Sequence, residues 1–250
     1  MVTLIDAALS NHPYGIAIDY TGKTMESSVL KALNEGVKVV LYNNNRFGAA
    51  NGGTTKNPTV TTLAFVGQNE HKSGAILATN FLKYLPSSGG TVLVVNPFPQ
   101  ASVLTLRYSG IQKVLTENGY KTKLLVASGN EPTNEQLIGS YLTAHPNIAG
   151  IVGLGDPASN PAAQYIHSHH LNIPIATFDI SPHTYQLMKQ VPEYKEALDQ
   201  QPYLQAYMAV ENLALEAKYG FEPVTVNTGT LVVTQKNLPL VGKLVKSGRD

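Results

Sequence analysis

The sequence predicts an α/β fold of doubly wound parallel sheets, and three observations lead there. Short β-branched runs alternate with longer amphipathic stretches of helical period. Several of the runs are apolar without alternation, the pattern of strands covered by helices on both faces. Run after run also ends in a planar amide or a carboxylate. Strand–helix–strand repetition of this kind builds a parallel sheet.

Taken in order, Gly15-Ile16-Ala17-Ile18-Asp19 is the first strand and Met25–Asn34 the amphipathic helix after it. Val37-Lys38-Val39-Val40-Leu41-Tyr42 is the second strand. The Asn/Gly/Thr-rich stretch Asn43–Thr59 is the longest loop-like segment, and a loop that long in a compact domain is often functional. Leu63-Ala64-Phe65-Val66-Gly67 then leads into a helix over Glu70–Tyr84, and Thr91–Val95 into a helix over Ser102–Glu117. Lys123–Val126 precedes the helix Asn134–Ala144, and Gly150–Leu154 precedes Pro161–His169. Ile173-Pro174-Ile175-Ala176-Thr177-Phe178 is the last strand of the series.

Composition narrows the function. The chain has 250 residues, no Cys and no Trp, and 14% charged residues with a net charge of +1. That balance excludes capture of nucleic acid or anionic membrane by a basic patch, which needs clustered Lys and Arg. Without Cys there is no disulfide, thiolate catalysis or Cys-based zinc site. No run approaches the ~18 apolar residues of a membrane helix, and Met1-Val2-Thr3-Leu4-Ile5-Asp6 has no basic flank of a signal peptide.

In open α/β sheets, ligands sit beyond the carboxyl ends of the strands. Those ends are Asp19-Tyr20, Asn43-Asn44-Asn45-Arg46, Gln68-Asn69-Glu70, Asn96-Pro97-Phe98, Gly155-Asp156 and Phe178-Asp179. Amides and carboxylates bridge vicinal hydroxyls with paired hydrogen bonds, while aromatic rings pack on the apolar face of a sugar. Asn and Asp also end strands simply because they favour turns. Six such ends together favour a polyol ligand.

Three motifs point elsewhere and are physically poor. Ala17-Ile18-Asp19-Tyr20-Thr21-Gly22-Lys23-Thr24 fits a relaxed phosphate loop, but Ala replaces the first Gly and Asp19 sets a carboxylate beside the phosphate. A helix start capped by Thr24 is the simpler reading. Gly153-Leu154-Gly155-Asp156-Pro157-Ala158 resembles a dinucleotide fingerprint, yet Asp156 faces the pyrophosphate and four βα units already precede it. His167-Ser168-His169-His170 reads as a histidine-rich helix C-terminus favoured by the helix dipole, not as a metal site. No spacing implies catalysis, so the chain reads as a binder, with no cofactor and no metal.

The residues also carry a family likeness. Gly15-Ile16-Ala17-Ile18, Val39-Val40-Leu41-Tyr42-Asn43, Val66-Gly67-Gln68-Asn69-Glu70 with Gly74, Arg107-Tyr108-Ser109-Gly110, Thr177-Phe178-Asp179-Ile180-Ser181-Pro182 and Asp199-Gln200-Gln201-Pro202-Tyr203-Leu204-Gln205-Ala206-Tyr207 resemble the type I periplasmic sugar-binding subunits of ABC importers, of the ribose/galactose class. The likeness runs from about Leu4 to about Leu240. It implies two flavodoxin-like three-layer lobes with a hinge: residues 1–67 plus 201–228, and residues 68–200 plus 229–250. It implies a monosaccharide or polyol held in an interlobe cleft by Asp19, Asn43, Asn44 and Gln68 on one side and by Arg107, Asp156, Asp179 and Gln200 on the other side or at the hinge, with Phe178 or Tyr20 stacking. Asn43-Asn44 stands where ribose-type members carry an Asp-Arg pair, which leaves the sugar open. The implied partners are the sugar and an ABC permease, and the implied location is periplasmic or extracellular. The family begins with a strand, helix and strand that have no counterpart before Leu4, so the first lobe is expected to be incomplete. Strand 15–19 then becomes a bare edge that invites self-association. The alternatives are the effector-binding core of a LacI-type transcription regulator and, further off, a phosphate-loop nucleotide-binding protein.

Overall fold

A computed structural model describes residues 2–44 and 64–249. In chain order the elements are α1 (Val2–Leu9), β1 (Gly15–Ile18), α2 (Glu26–Asn34), β2 (Lys38–Tyr42), β3 (Ala64–Gly67), α3 (Glu70–Phe81), β4 (Gly90–Asn96), α4 (Ser102–Glu117), β5 (Tyr120–Val126) and α5 (Glu131–Ala144). Then come β6 (Ile148–Gly153), α6 (Asp156–Ser168), β7 (Ile175–Phe178), α7 (Pro182–Gln190), β8 (Tyr194–Asp199), α8 (Pro202–Tyr219), β9 (Val226–Asn227), β10 (Leu231–Thr234) and α9 (Leu238–Ser247). Most of the long loop-like stretch, with Asn45, Arg46 and the strand residue Leu63, lies outside the described residues.

The chain divides into two compact units. The first comprises Met1–Asn69, Ala101–Val103 and Gln201–Gly229; the second comprises Glu70–Gln100, Leu104–Gln200 and Thr230–Asp250.

In the first unit, β1, β2, β3 and β9 form a parallel sheet in that order. Successive side chains of β2 go to opposite faces. Val39 and Leu41 join Ile5, Leu9, Met25, Val29 and Ala32 under α1 and α2. Val40 joins Val66, Ala209 and Leu213 under α8. Three layers follow directly from an apolar strand between two apolar helix faces. β1 is at the end of the order. The α2 helix opens after a single 3-10 turn over Lys23–Met25, and Met25 rather than Thr24 is its N-cap, because that turn carries the chain one residue further before helical bonding begins.

The second unit holds six strands in the order β10-β8-β7-β6-β4-β5. The five strands from β5 to β8 are parallel and follow the flavodoxin-like 2-1-3-4-5 order. β10 joins antiparallel to β8, an addition the parallel prediction did not contain. One face buries Leu93, Val95, Ile151, Ile175 and Tyr194 against α5, α6, α7 and α9. On the other face lie α3 and α4, which meet backbone to backbone: a Cβ on Gly74 would stand 2.1 Å from the Arg107 carbonyl oxygen, and one on Gly110 2.0 Å from that of His71.

α6 begins at Asp156, five residues before the predicted start, and contains Pro161. A proline in a helix leaves the carbonyl four residues back without its amide donor. Here the Asn134 amide donates to the Pro157 carbonyl at 2.8 Å and fills that gap. The histidines end the helix as expected, with the His169 ring stacked on Tyr165 at 3.9 Å. No helix among the described residues is long and apolar enough to cross a membrane.

Candidate functional site

Each unit carries its own polar cluster at the carboxyl ends of its strands. In the first unit, Asp19 follows β1 and the Asn43-Asn44 pair follows β2. Parallel pairing of Ile18 with Leu41 brings the two ends together. Asn44 Nδ2 then donates to Asp19 Oδ1 at 2.7 Å, and Asn43 Nδ2 to Asp19 Oδ2 at 3.3 Å. Asn43 reaches this geometry with φ +55°, a left-handed conformation that Asn tolerates better than most residues. Its N–H continues the ladder to the Val66 carbonyl at 3.0 Å. Burial pushes the Asp19 carboxyl above its ordinary range, against the lowering effect of the Asn44 and Asn43 bonds. Gln68, just past β3, is buried. Tyr20 packs in the core under α1 and α2.

The second unit is built around Arg107, which is only 3% exposed. Its Nε donates to Glu70 Oε2 at 2.6 Å and its Nη2 to Glu70 Oε1 at 3.3 Å. Nη1 donates to the Leu154 carbonyl at 3.1 Å, and Nη2 also donates to Gln200 Oε1. Four bonds thus engage a fork of five N–H donors within the unit. The guanidinium lies over the Phe178 ring, 4.4 Å from its centroid, and Phe178 is fully buried. Burial is the main influence on the guanidinium and opposes its charge, but Glu70 outweighs it and the pKa lies above the ordinary value.

Beyond Gln200, the relay continues to Asp179, whose Oδ1 accepts from Gln200 Nε2. Asp179 follows β7 with φ +73°, and its N–H extends the ladder to the Leu198 carbonyl at 3.0 Å. That is the arrangement of Asn43 in the first unit. Left-handed backbone at a non-glycine residue concentrates at functional positions. The Asp179 carboxylate also accepts from the backbone N–H of Asp156, at the start of α6. Burial raises the Asp179 pKa, Arg107 opposes the rise and Asp156 adds to it. Asp156 itself is raised by burial, with Ser181 bonding its side chain, Glu131 raising it further and His183 lowering it. His183 Nδ1 is 3.5 Å from Glu131 Oε2.

The nine sequence-predicted residues therefore fall into two groups. Asp19, Asn43 and Asn44 touch one another, with Gln68 at a neighbouring strand end. Arg107, Phe178, Asp179 and Gln200 form one bonded cluster that Asp156 adjoins. Asn96, another polar strand end, turns the chain instead, its Oδ1 accepting from the Phe98 N–H at 3.0 Å. Glu131 and His183 belong to the second cluster without having been named from the sequence, and Glu70 is named there only as part of the strand end Gln68-Asn69-Glu70, not as a ligand residue. Glu70 is 37 residues from Arg107, a separation no spacing rule connects. Its one signal is its place directly after Gln68-Asn69 at a strand end.

Residues 1–220 match the family described as "Periplasmic binding protein domain". No curated protein matches the chain. Among solved structures, an ABC transporter solute-binding protein from Burkholderia graminis in complex with D-arabinose is 25% identical, with a TM-score of 0.82, covering 95% of this chain and 81% of its own. A periplasmic sugar-binding protein of an ABC sugar transporter from Legionella pneumophila is 27% identical, with a TM-score of 0.79 over 91% of this chain and 82% of its own. A carbohydrate transporter from Acidothermus cellulolyticus in complex with myo-inositol is 24% identical and shares the fold, with a TM-score of 0.82 over 100% of this chain and 84% of its own.

Proposed function

On the premise that this chain belongs to the periplasmic binding protein domain family, we propose that it is a solute-binding protein capturing a monosaccharide or related polyol for an ABC importer. One observation carries the choice of ligand. In both units the strand ends present carboxylates, Asp19 in one and Asp156 and Asp179 in the other, whose pKa values burial has raised. Partly desolvated carboxylates flanked by amides suit a neutral ligand rich in hydroxyl donors and reject an anion. The D-arabinose bound to the Burkholderia graminis protein is of this class.

Asp19, Asn43, Asn44 and Gln68 serve as ligand groups of one lobe, and Asp156, Asp179 and Gln200 of the other, with Arg107 and Phe178 beneath them. The protein binds and releases its ligand without covalent chemistry, works outside the cytoplasmic membrane and delivers to a permease. The uncharged edge of β1 supports self-association as a further property.

The test is calorimetry against pentoses, hexoses, inositols and their uronate counterparts. A neutral polyol should bind and its uronate should not. Replacing Asp19 with Ala, or Asp179 with Ala, should each weaken binding by roughly 10- to 100-fold, the equivalent of ~1.5–3 kcal/mol for a charged hydrogen bond. Absence of heat with every polyol, or tighter binding of uronates, would sink this reading.

A further inference from the structure

We propose that Glu70 is the positioning residue of the second unit: it fixes the Arg107 guanidinium, which orients the Gln200 amide and keeps Asp179 available to the ligand. The inference rests on the polyol-binding reading above and adds a residue and a relay to it.

The pair is set by two helices. Glu70 and Gly74 lie one turn apart on α3, and Arg107 and Gly110 about one turn apart on α4. The two glycines let the helix backbones touch, which fixes the Arg107 backbone against α3. Glu70, one turn towards the start of α3, then receives the guanidinium side-on through Nε and Nη2. Both side chains of the ion pair are only 4% exposed. Placing such a pair out of water is a weak source of stability, so its geometric consequence is the informative part.

That consequence runs outward. Nη2 carries two hydrogens; one goes to Glu70 Oε1 and the other to Gln200 Oε1. With its oxygen taken by a donor, the Gln200 amide must turn its NH2 towards Asp179. The guanidinium charge also acts on Asp179. Glu70 neutralises that charge and occupies the edge of the fork that a carboxylate would otherwise take. Without Glu70, Arg107 pairs with Asp179, and the acceptor meant for sugar hydroxyls is consumed inside the protein.

The groups around Asp179 are Arg107 from α4, Gln200 at the end of β8 and Asp156 at the start of α6, with Glu131 and His183 acting on Asp156 from α5 and α7. Against this background, Glu70→Gln leaves Arg107 uncompensated. The Asp179 carboxyl then ionises at lower pH than in the wild type, and the acid limb of ligand affinity moves down with it. At neutral pH the affinity for the tightest-binding polyol falls about 10-fold.

Two measurements decide. Carboxyl 13C titration of ligand-free protein reads the Asp179 pKa in wild type, Glu70→Gln and Glu70→Asp; calorimetry from pH 4 to 8 reads affinity. We expect a lowered Asp179 pKa and weakened binding for Glu70→Gln, and near-wild-type ionisation for Glu70→Asp, which keeps the charge. An additional Arg107→Met should cancel the effect of Glu70→Gln on the Asp179 pKa. An unchanged Asp179 pKa in Glu70→Gln overturns the proposal whether or not sugar binds, and so does a pKa shift that persists without Arg107. If Glu70→Gln fails to fold, Glu70→Asp ionising Asp179 unlike wild type overturns it, and wild-type-like ionisation supports it. Absence of polyol binding by wild type overturns the functional reading instead.

Discussion

Asn43 illustrates how one residue does two separable jobs. Its backbone sits at φ +55° to end β2, and its side chain donates to Asp19. A β-branched residue is strained by about 1–2 kcal/mol in that conformation, whereas glycine adopts it freely. Asn43→Val should therefore lower the unfolding free energy by about that amount, while Asn43→Gly should leave stability within about 1 kcal/mol and still weaken polyol binding. Denaturant unfolding and calorimetry on both variants check this. Equal stability of Val and Gly variants would show that the backbone conformation is not constraining. Asp179 repeats the arrangement at φ +73°, so each unit has a left-handed Asx residue at a strand end. Asn and Asp at strand ends are visible in sequence; which of them turn left-handed and which merely cap a turn, as Asn96 does, depends on the neighbouring strand.

β8 shows what happens when an element contradicts its own composition. Tyr194-Lys195-Glu196-Ala197-Leu198-Asp199 has no strand-like pattern, yet it lies between β7 and β10. Tertiary pairing overrides local propensity in such a central position. The cost falls on Glu196. It is fully buried, and neither carboxylate oxygen has a hydrogen-bond partner among the described residues. Burial raises its pKa to about 8, and Lys83 lowers it only in part. In the unfolded chain the group titrates near 4.5. The native state therefore holds the proton more tightly, so the contribution of Glu196 to stability is fully present below pH ~4.5 and is lost as pH rises through about 8. Glu196→Gln should remove that decline, with little effect at pH 5 and a gain in stability at pH 8 of at least about 1 kcal/mol, because the amide stays neutral where the buried carboxyl ionises. Thermal unfolding at both pH values tests it, and an unaltered pH slope in the variant would refute the assignment.

At the scale of the whole molecule, the two sheets treat their edges differently. β5 borders its sheet with Lys121 and Lys123, charges that discourage edge pairing. β1 borders the other sheet with Gly15-Ile16-Ala17-Ile18 and no charge. Among the described residues, the first unit also carries nine of the thirteen exposed large apolar side chains, with Tyr203, Tyr207 and Val210 along α8. Sedimentation velocity should show concentration-dependent self-association of the chain, reduced by Ile16→Lys. A monomer at ~100 µM, far above the micromolar range of a specific contact, would remove β1 as an interface.

The sequence by itself determined the α/β class, the run of strands from β1 to β7 and the polar character of their ends, because hydrophobic period and strand-end chemistry are local properties. It also carried the family likeness that the match over residues 1–220 bears out. Only the tertiary structure decided that β8 is a strand, that β10 joins antiparallel, and that Arg107 is enclosed by Glu70, Gln200 and Leu154. Those outcomes depend on which distant segments become neighbours. A guanidinium reads the same in sequence whether it faces water or a carboxylate 37 residues away.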